Sequence, residues 1–105
     1  MSKRNNLFKI EMLLLGVLKH RDYYGYELAS TIREVTDDVF DVKEGVMYPI
    51  FYRMLEEGYV STREEIVNRK VRVYYHLEEK GIQYFNDMVE DYRKMCRQIE
   101  KIIRF

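Results

Sequence analysis

With 105 residues the chain has the length of one domain, large enough for a modest core and small enough that a partner surface would add to its stability. Its 18 basic residues balance 18 acidic ones, so no overall field draws it to nucleic acid or membrane, and any electrostatic recognition has to be local. A single cysteine excludes an internal disulfide, no apolar run is long enough to span a bilayer and no secretory leader opens the sequence, which predicts a cytoplasmic protein.

The opening "MSKRNN" reads as a loose basic arm carrying Lys3 and Arg4. From Leu7 to His20 the apolar residues leave almost no polar stripe, and a helix of that kind is buried on most sides. In so short a chain this implies contact with a second subunit. Gly16 costs roughly 1 kcal/mol against alanine in mid-helix, which predicts close approach of a neighbouring helix. "RDYYGYELASTIREV" is a second, shorter helix with Asp22 as its cap and Tyr26, Leu28, Ala29, Ile32 and Val35 on one side. In the following "TDDVFDV", Val39, Phe40 and Val42 suggest a brief extended piece, next to the acids Asp37, Asp38 and Asp41.

"EGVMYPIFYRMLEEG" is a third helix closed by Gly58, a residue suited to a left-handed cap. Met47, Ile50, Phe51 and Met54 share one face; Gly45, Val46, Tyr48, Pro49, Tyr52 and Arg53 share the other. Pro49 is the chain's only proline. It is tolerated either because the carbonyl it crowds belongs to Gly45, or because the regular helix begins nearer Met47 and Pro49 falls in its first turn.

Tyr59 and Val60 begin one strand, and Val71, Val73, Tyr75 and Leu77 alternate with Arg72, Tyr74 and His76 along a second. The connection around Asn68 is basic, so the pair forms a hairpin with Arg69, Lys70 and Arg72 near its tip. From Glu78 to Phe105 the residues Ile82, Phe85, Val89, Tyr92, Cys96, Ile99 and Ile103 follow a heptad seam, widened by Met88, Met95 and Ile102. This is a long helix whose first half packs on the domain and whose second half packs on another subunit.

The order of elements predicts a mainly α fold with a small β-hairpin, a winged helix-turn-helix over residues 1–77 with a C-terminal dimerisation helix over 78–105, the two forming one compact unit. Three motifs strengthen it. "YGYEL" (Tyr24 to Leu28) is similar to the HGYEL motif of the PadR-like family of bacterial transcriptional regulators. "EGVMYPIFYRMLEEGYV" resembles that family's PGTLYPALKRLEEEGLI recognition helix, and "RKVRVYYHLEEKG" its RPRRYYRLTEKG wing. The single terminal helix matches the short subgroup, in which, the resemblance implies, that helix pairs with the partner's first helix. Tyr24, Val46 and Tyr52 replace the family's usual histidine, threonine and lysine, "NRKVR" replaces a glycine-proline wing tip, and tryptophan, which stacks aromatic drugs in some members, is absent.

The expected function is therefore a homodimeric repressor of a pseudo-palindromic double-stranded DNA operator, relieved by a small-molecule effector. Tyr48, carried over from the family's LYP motif, with Pro49, Tyr52 and Arg53 would face the duplex, and Arg69, Lys70 and Arg72 would reach its backbone. Leu14, Leu18, Val89, Tyr92, Met95, Cys96, Ile99, Ile102 and Ile103 are expected between subunits. Asp37, Asp38, Asp41 and Glu44 would repel a nearby backbone unless they face away. The rival expectation is an interaction module that keeps the scaffold and has lost DNA binding. His20 and His76 are isolated, so no metal or other cofactor is expected, and Ser30 and Ser61 lack the partners of a nucleophile, so no enzyme is expected either.

Overall fold

The computed structural model describes residues 8–105, so the basic arm lies outside the described residues. Four helices and three strands follow in the order α1 (Ile10–Leu18), β1 (Tyr23–Tyr24), α2 (Gly25–Val35), α3 (Glu44–Glu57), β2 (Val60–Val67), β3 (Lys70–Leu77) and α4 (Glu79–Ile103).

α1 buries Leu14, Leu15 and Leu18. A Cβ on its Gly16 would lie 3.3 Å from the Phe85 ring of α4, which is the close helix approach that a glycine in this position predicts. Leu14 and Leu18, expected between subunits, instead sit inside the single chain, at 0% and 3% exposure. The half-buried Met12, Leu13, Gly16 and Val17 form the other side of α1. Because nearly every position of this helix is apolar, the sequence pattern could not separate its inward face from its outward one.

α2 is capped differently from the expectation. Tyr24 is the N-cap, and its backbone N–H donates to the Glu27 carboxylate at 3.4 Å. Asp22 lies further back, accepting a hydrogen bond from Arg63 of β2 and standing 2.7 Å from Nδ1 of His76 on β3. After α2 the chain reverses through Asp37 and Asp38, both left-handed at φ 51° and 64°. The expected extended piece is a turn and coil, not a strand: the Thr36 hydroxyl donates to the Ile32 carbonyl at 2.7 Å and accepts from the Phe40 N–H at 3.1 Å. Val42 drops into the core beside it.

α3 begins at Glu44, so Pro49 lies in its body rather than its first turn. The carbonyl that the ring crowds belongs to Gly45, where no side chain adds to the congestion. Gly58 ends the helix at φ 80°. Met47, Phe51 and Met54 are fully buried, and the Phe51 ring stacks on Tyr75 of β3 with centroids 3.9 Å apart. That contact fixes the height of α3 over the sheet.

The sheet is antiparallel in the order β1-β3-β2. β2 and β3 pair from Val60 opposite Leu77 to Val67 opposite Lys70, and the short β1 adds Tyr23 and Tyr24 opposite Tyr75 and Tyr74. Two residues give too short a period-2 pattern to be read as a strand from sequence. α4 enters against the Tyr59 carbonyl, which accepts the Glu78 N–H at 3.0 Å, and Tyr59 stacks on Tyr84 at 4.2 Å. Tyr84, Phe85 and Met88 pack on the core; beyond them the helix continues to Ile103.

Candidate nucleic-acid interface

Two elements meet along one side of the domain: the outer face of α3 and the hairpin β2–β3. On α3 the residues Gly45, Val46, Pro49, Tyr52, Arg53 and Glu56 are exposed. Tyr48 lies between this face and the core. Its ring tilts against Phe51 at 6.4 Å, and its hydroxyl comes within 2.5 Å of where a Cβ on Gly25 would stand. Burial first, then the nearby Glu44 carboxylate, pushes the Tyr48 phenol above its ordinary value, so it remains a neutral hydroxyl throughout the physiological range.

Between α3 and the hairpin runs an open groove of about 610 Å³, floored by Gly25 and Tyr75 and walled by Tyr24, Tyr26, Tyr48 and Tyr52 on one side and Lys70 to Val73 on the other. The structure thus brings the predicted Tyr48, Tyr52, Lys70 and Arg72 together around one cleft. Arg72 folds inward, its guanidinium 4.3 Å above the Tyr24 ring, a cation–π contact that holds it beside the start of α2. Tyr24 in turn meets Tyr74 edge-on at 5.5 Å, and Arg63 lies 5.0 Å over Tyr74.

The hairpin tip is the two-residue turn Asn68-Arg69, with φ of 52° and 67°. Positive φ at both central residues is the pattern of a type I′ turn, whose twist matches that of the strands. Asparagine suits it, whereas arginine at the position usually held by glycine is strained. Among the described residues no carboxylate pairs with Arg69, Lys70 or Arg72, in contrast to Arg21, Arg33, Arg63 and Lys43, which all have acidic partners.

Arg53 differs from the other predicted contacts. Its guanidinium donates to Glu11 of α1 at 3.1 Å, which draws it to the rim of the outer face. Sequence reasoning missed Glu11 because nothing in the chain marks a residue 42 positions away as a neighbour. The acids before α3 are partly answered: Asp41 is held by Lys43 at 2.7 Å and Arg33 at 3.5 Å, and the Lys43 hydrogen bond leads in keeping its carboxyl below the usual range.

A second surface lies on the opposite flank. Met12, Leu13, Gly16 and Val17 of α1, with Ile32 and Val35 of α2 and Phe85, Val89 and Tyr92 of α4, line an apolar groove of about 480 Å³. Further along α4, Met95, Ile99, Ile102 and Ile103 are exposed, the last two about 70%. Cys96 is half-buried on the same seam and free.

An outward helix beside a projecting hairpin, carried on a three-helix core, defines the winged helix-turn-helix class. The model of the Transcriptional regulator PadR-like family matches residues 14–87, and the chain belongs to that family: it is a transcriptional regulator and not an enzyme. A transcriptional regulator from Clostridium thermocellum superposes with a TM-score of 0.82 at 30% identity, covering 88% of this chain and 90% of its own. The Transcriptional regulator YqjI of Escherichia coli (strain K12) is 28% identical over 91% of this chain and 43% of its own length. Bacillus subtilis PadR, whose crystal structure is in complex with operator DNA, gives a TM-score of 0.70 at 25% identity over 76% of this chain and 46% of that one. The chain spans less than half the length of these last two. Among the described residues no helix is long and apolar enough to cross a membrane.

Proposed function

We propose that the chain is a homodimeric repressor that sets α3 of each subunit into the major groove of a pseudo-palindromic operator, with the wing against the adjoining backbone. The observation that carries this is the groove across which Tyr48 and Tyr52 of α3 face Lys70 and Arg72 of the wing, with the exposed Val46 and Pro49 beside it and Arg69 at the hairpin tip. Solvated helix faces are normally charged; this one carries Val46, Pro49 and Tyr52. The operator complex of Bacillus subtilis PadR supports the same use of the fold here.

The apolar flank supports dimerisation. Among the described residues no element covers the seam Met95, Ile99, Ile102 and Ile103, and the groove beside Met12, Val17, Val89 and Tyr92 is of matching character. Two copies related by a two-fold axis would each bury the other's α4 end, an isologous arrangement. The interface so proposed keeps Val89, Tyr92, Met95, Cys96, Ile99, Ile102 and Ile103 and replaces Leu14 and Leu18 with Met12, Leu13 and Val17. Two-fold heads place their half-sites about one helical turn, or a multiple of it, apart. Release follows binding of a small-molecule effector or a change in dimer geometry.

The test is a mobility shift with duplex from upstream of the protein's own gene, on a sample shown to be dimeric by light scattering. A salt-sensitive shift with sequence preference is expected. A dimer that gives no shift at low salt would leave an interaction module on the same scaffold.

A further inference from the structure

α3 has an unusual composition for a helix that reads bases. Positions 44–57 contain no asparagine, glutamine, lysine, histidine, serine or threonine, and Arg53 is the only base among them. Purines are recognised by two-pronged hydrogen bonds, guanine by arginine or lysine and adenine by asparagine or glutamine. The one side chain of that kind, Arg53, is paired with Glu11 at 3.1 Å. Tyr48 turns its hydroxyl toward Gly25 rather than outward.

What the outer face offers is apolar surface. Val46 is 48% exposed and Tyr52 67%, with Pro49 exposed between them. These three stand three residues apart, about 4.5 Å per step along the axis, so the strip covers about three base pairs of groove. Gly45 beside it bears no side chain, which lets the helix approach closely. The feature of a base edge that apolar side chains recognise in the major groove is the C5 methyl of thymine.

We propose that this regulator reads its half-site through thymine methyl groups, packed against Val46, Pro49 and Tyr52, rather than through hydrogen bonds to purines. The inference rests on the DNA-binding function proposed above and names the chemistry of its specificity. The unpaired wing cations supply affinity without sequence, and the methyl contacts supply the sequence. Glu44 and Glu56 add no attraction to this scheme, because carboxylates near the strip disfavour phosphate and accept only from base amino groups.

The experiment uses the full chain and a random-sequence duplex library, followed by titration of the selected duplex. Half-sites with thymines clustered over about three positions are expected. Replacing each such thymine by deoxyuridine, which removes only the methyl group, should weaken binding by about fourfold per buried methyl. In Tyr52→Ala and Val46→Ala, both exposed positions whose folding is checked by circular dichroism, the uracil penalty at the covered base should shrink toward one. Equal affinity for the uracil and thymine duplexes would overturn the proposal while leaving DNA binding intact. So would loss of sequence preference in Arg53→Ala, which would make Arg53 the reader. Absence of any selected duplex and of binding at low salt would instead remove the DNA-binding function itself.

Discussion

The Tyr48 hydroxyl occupies the space that a side chain on Gly25 would need: a Cβ there would meet it at 2.5 Å. A turn of α3 and the first turn of α2 are thereby locked in register by a missing atom on one and a hydroxyl on the other. Gly25→Ala should displace the end of a rotatable side chain rather than backbone, so stability should change by less than about 1 kcal/mol. Because Tyr48 walls the groove between α3 and the hairpin, operator affinity in the proposed complex should fall by more than stability does. Adding Tyr48→Phe removes the colliding atom, and the two changes should couple in denaturant midpoints; strict additivity would show that the contact is not formed.

Gly81 presents the opposite case. A Cβ on this residue would lie 2.1 Å from the Tyr59 carbonyl oxygen, a backbone atom already engaged by the Glu78 N–H. Alanine is the better helix former by about 1 kcal/mol, yet Gly81→Ala should destabilise by about 1–3 kcal/mol because the start of α4 has to back away from the sheet. Thermal unfolding should show a drop of several degrees, and an unchanged or raised Tm would mean that α4 does not enter this closely.

Asp22 ties the segment before β1 to both long strands. Partial burial would raise its carboxyl, but hydrogen bonds with His76 and Arg63 outweigh that effect and hold it below its ordinary value. A folded-state pKa below the unfolded one contributes stability that is present above about pH 4 and is lost as pH falls through the folded value. Solvent reaches the cluster, so the contribution should be about 1 kcal/mol or less. Wild type should exceed Asp22→Asn in urea midpoint near neutral pH, and the two curves should converge in acid; a gap that persists at pH 2 would assign the difference to packing.

At the wing tip, stability and binding should move in opposite directions. Arg69→Gly relieves a strained left-handed arginine at φ 67° and should stabilise by up to about 1 kcal/mol. The same change removes an unpaired cation, so binding should weaken across all sequences and the salt slope should shrink by about 0.9 for one lost phosphate contact. Neutralising Arg69, Lys70 and Arg72 together should extend the trend, with Arg72 also releasing Tyr24. An unchanged slope in that triple variant would remove the wing from the interface.

Ile99→Glu with Ile103→Glu should yield folded monomers, because both side chains are largely exposed among the described residues, at 47% and 69%. Leu14→Ala, by contrast, should cost about 2–5 kcal/mol of fold stability. Light scattering and thermal melts distinguish the two behaviours, and a dimer that survives both glutamates would place the interface elsewhere.

Much of this fold is legible in the sequence where periodicity is one-sided. The alternation of Met47, Ile50, Phe51 and Met54 with outward residues marks α3, and the heptad run from Ile82 to Ile103 marks α4. α1 is legible as a helix and not as an orientation, since uniform hydrophobicity carries no phase; hence the expectation of Leu14 and Leu18 between subunits, where the structure buries both within the chain. Gly16 could be read as a contact because a glycine in a helix costs something that packing has to repay. Of the candidate site, residue types and faces were visible, whereas the Glu11–Arg53 pair and the inward fold of Arg72 onto Tyr24 depend on long-range geometry that local pattern does not encode.

The hairpin is paired along its whole length but buried only at its base, with Arg72 over Tyr24 as a tether further out. Every position from Val60–Leu77 to Val67–Lys70 is matched, yet only Val60, Tyr75 and Leu77 are buried, and Ile66, Val71 and Val73 are exposed. A two-stranded ribbon without a covered face is marginal by itself. Its outer half should therefore open locally at far lower free energy than the domain unfolds, with amide exchange slowing steadily from Val71 toward Leu77. The molecule is a stiff palm bearing one compliant finger, which in the proposed complex would follow variations in groove width without disturbing the seat of α3.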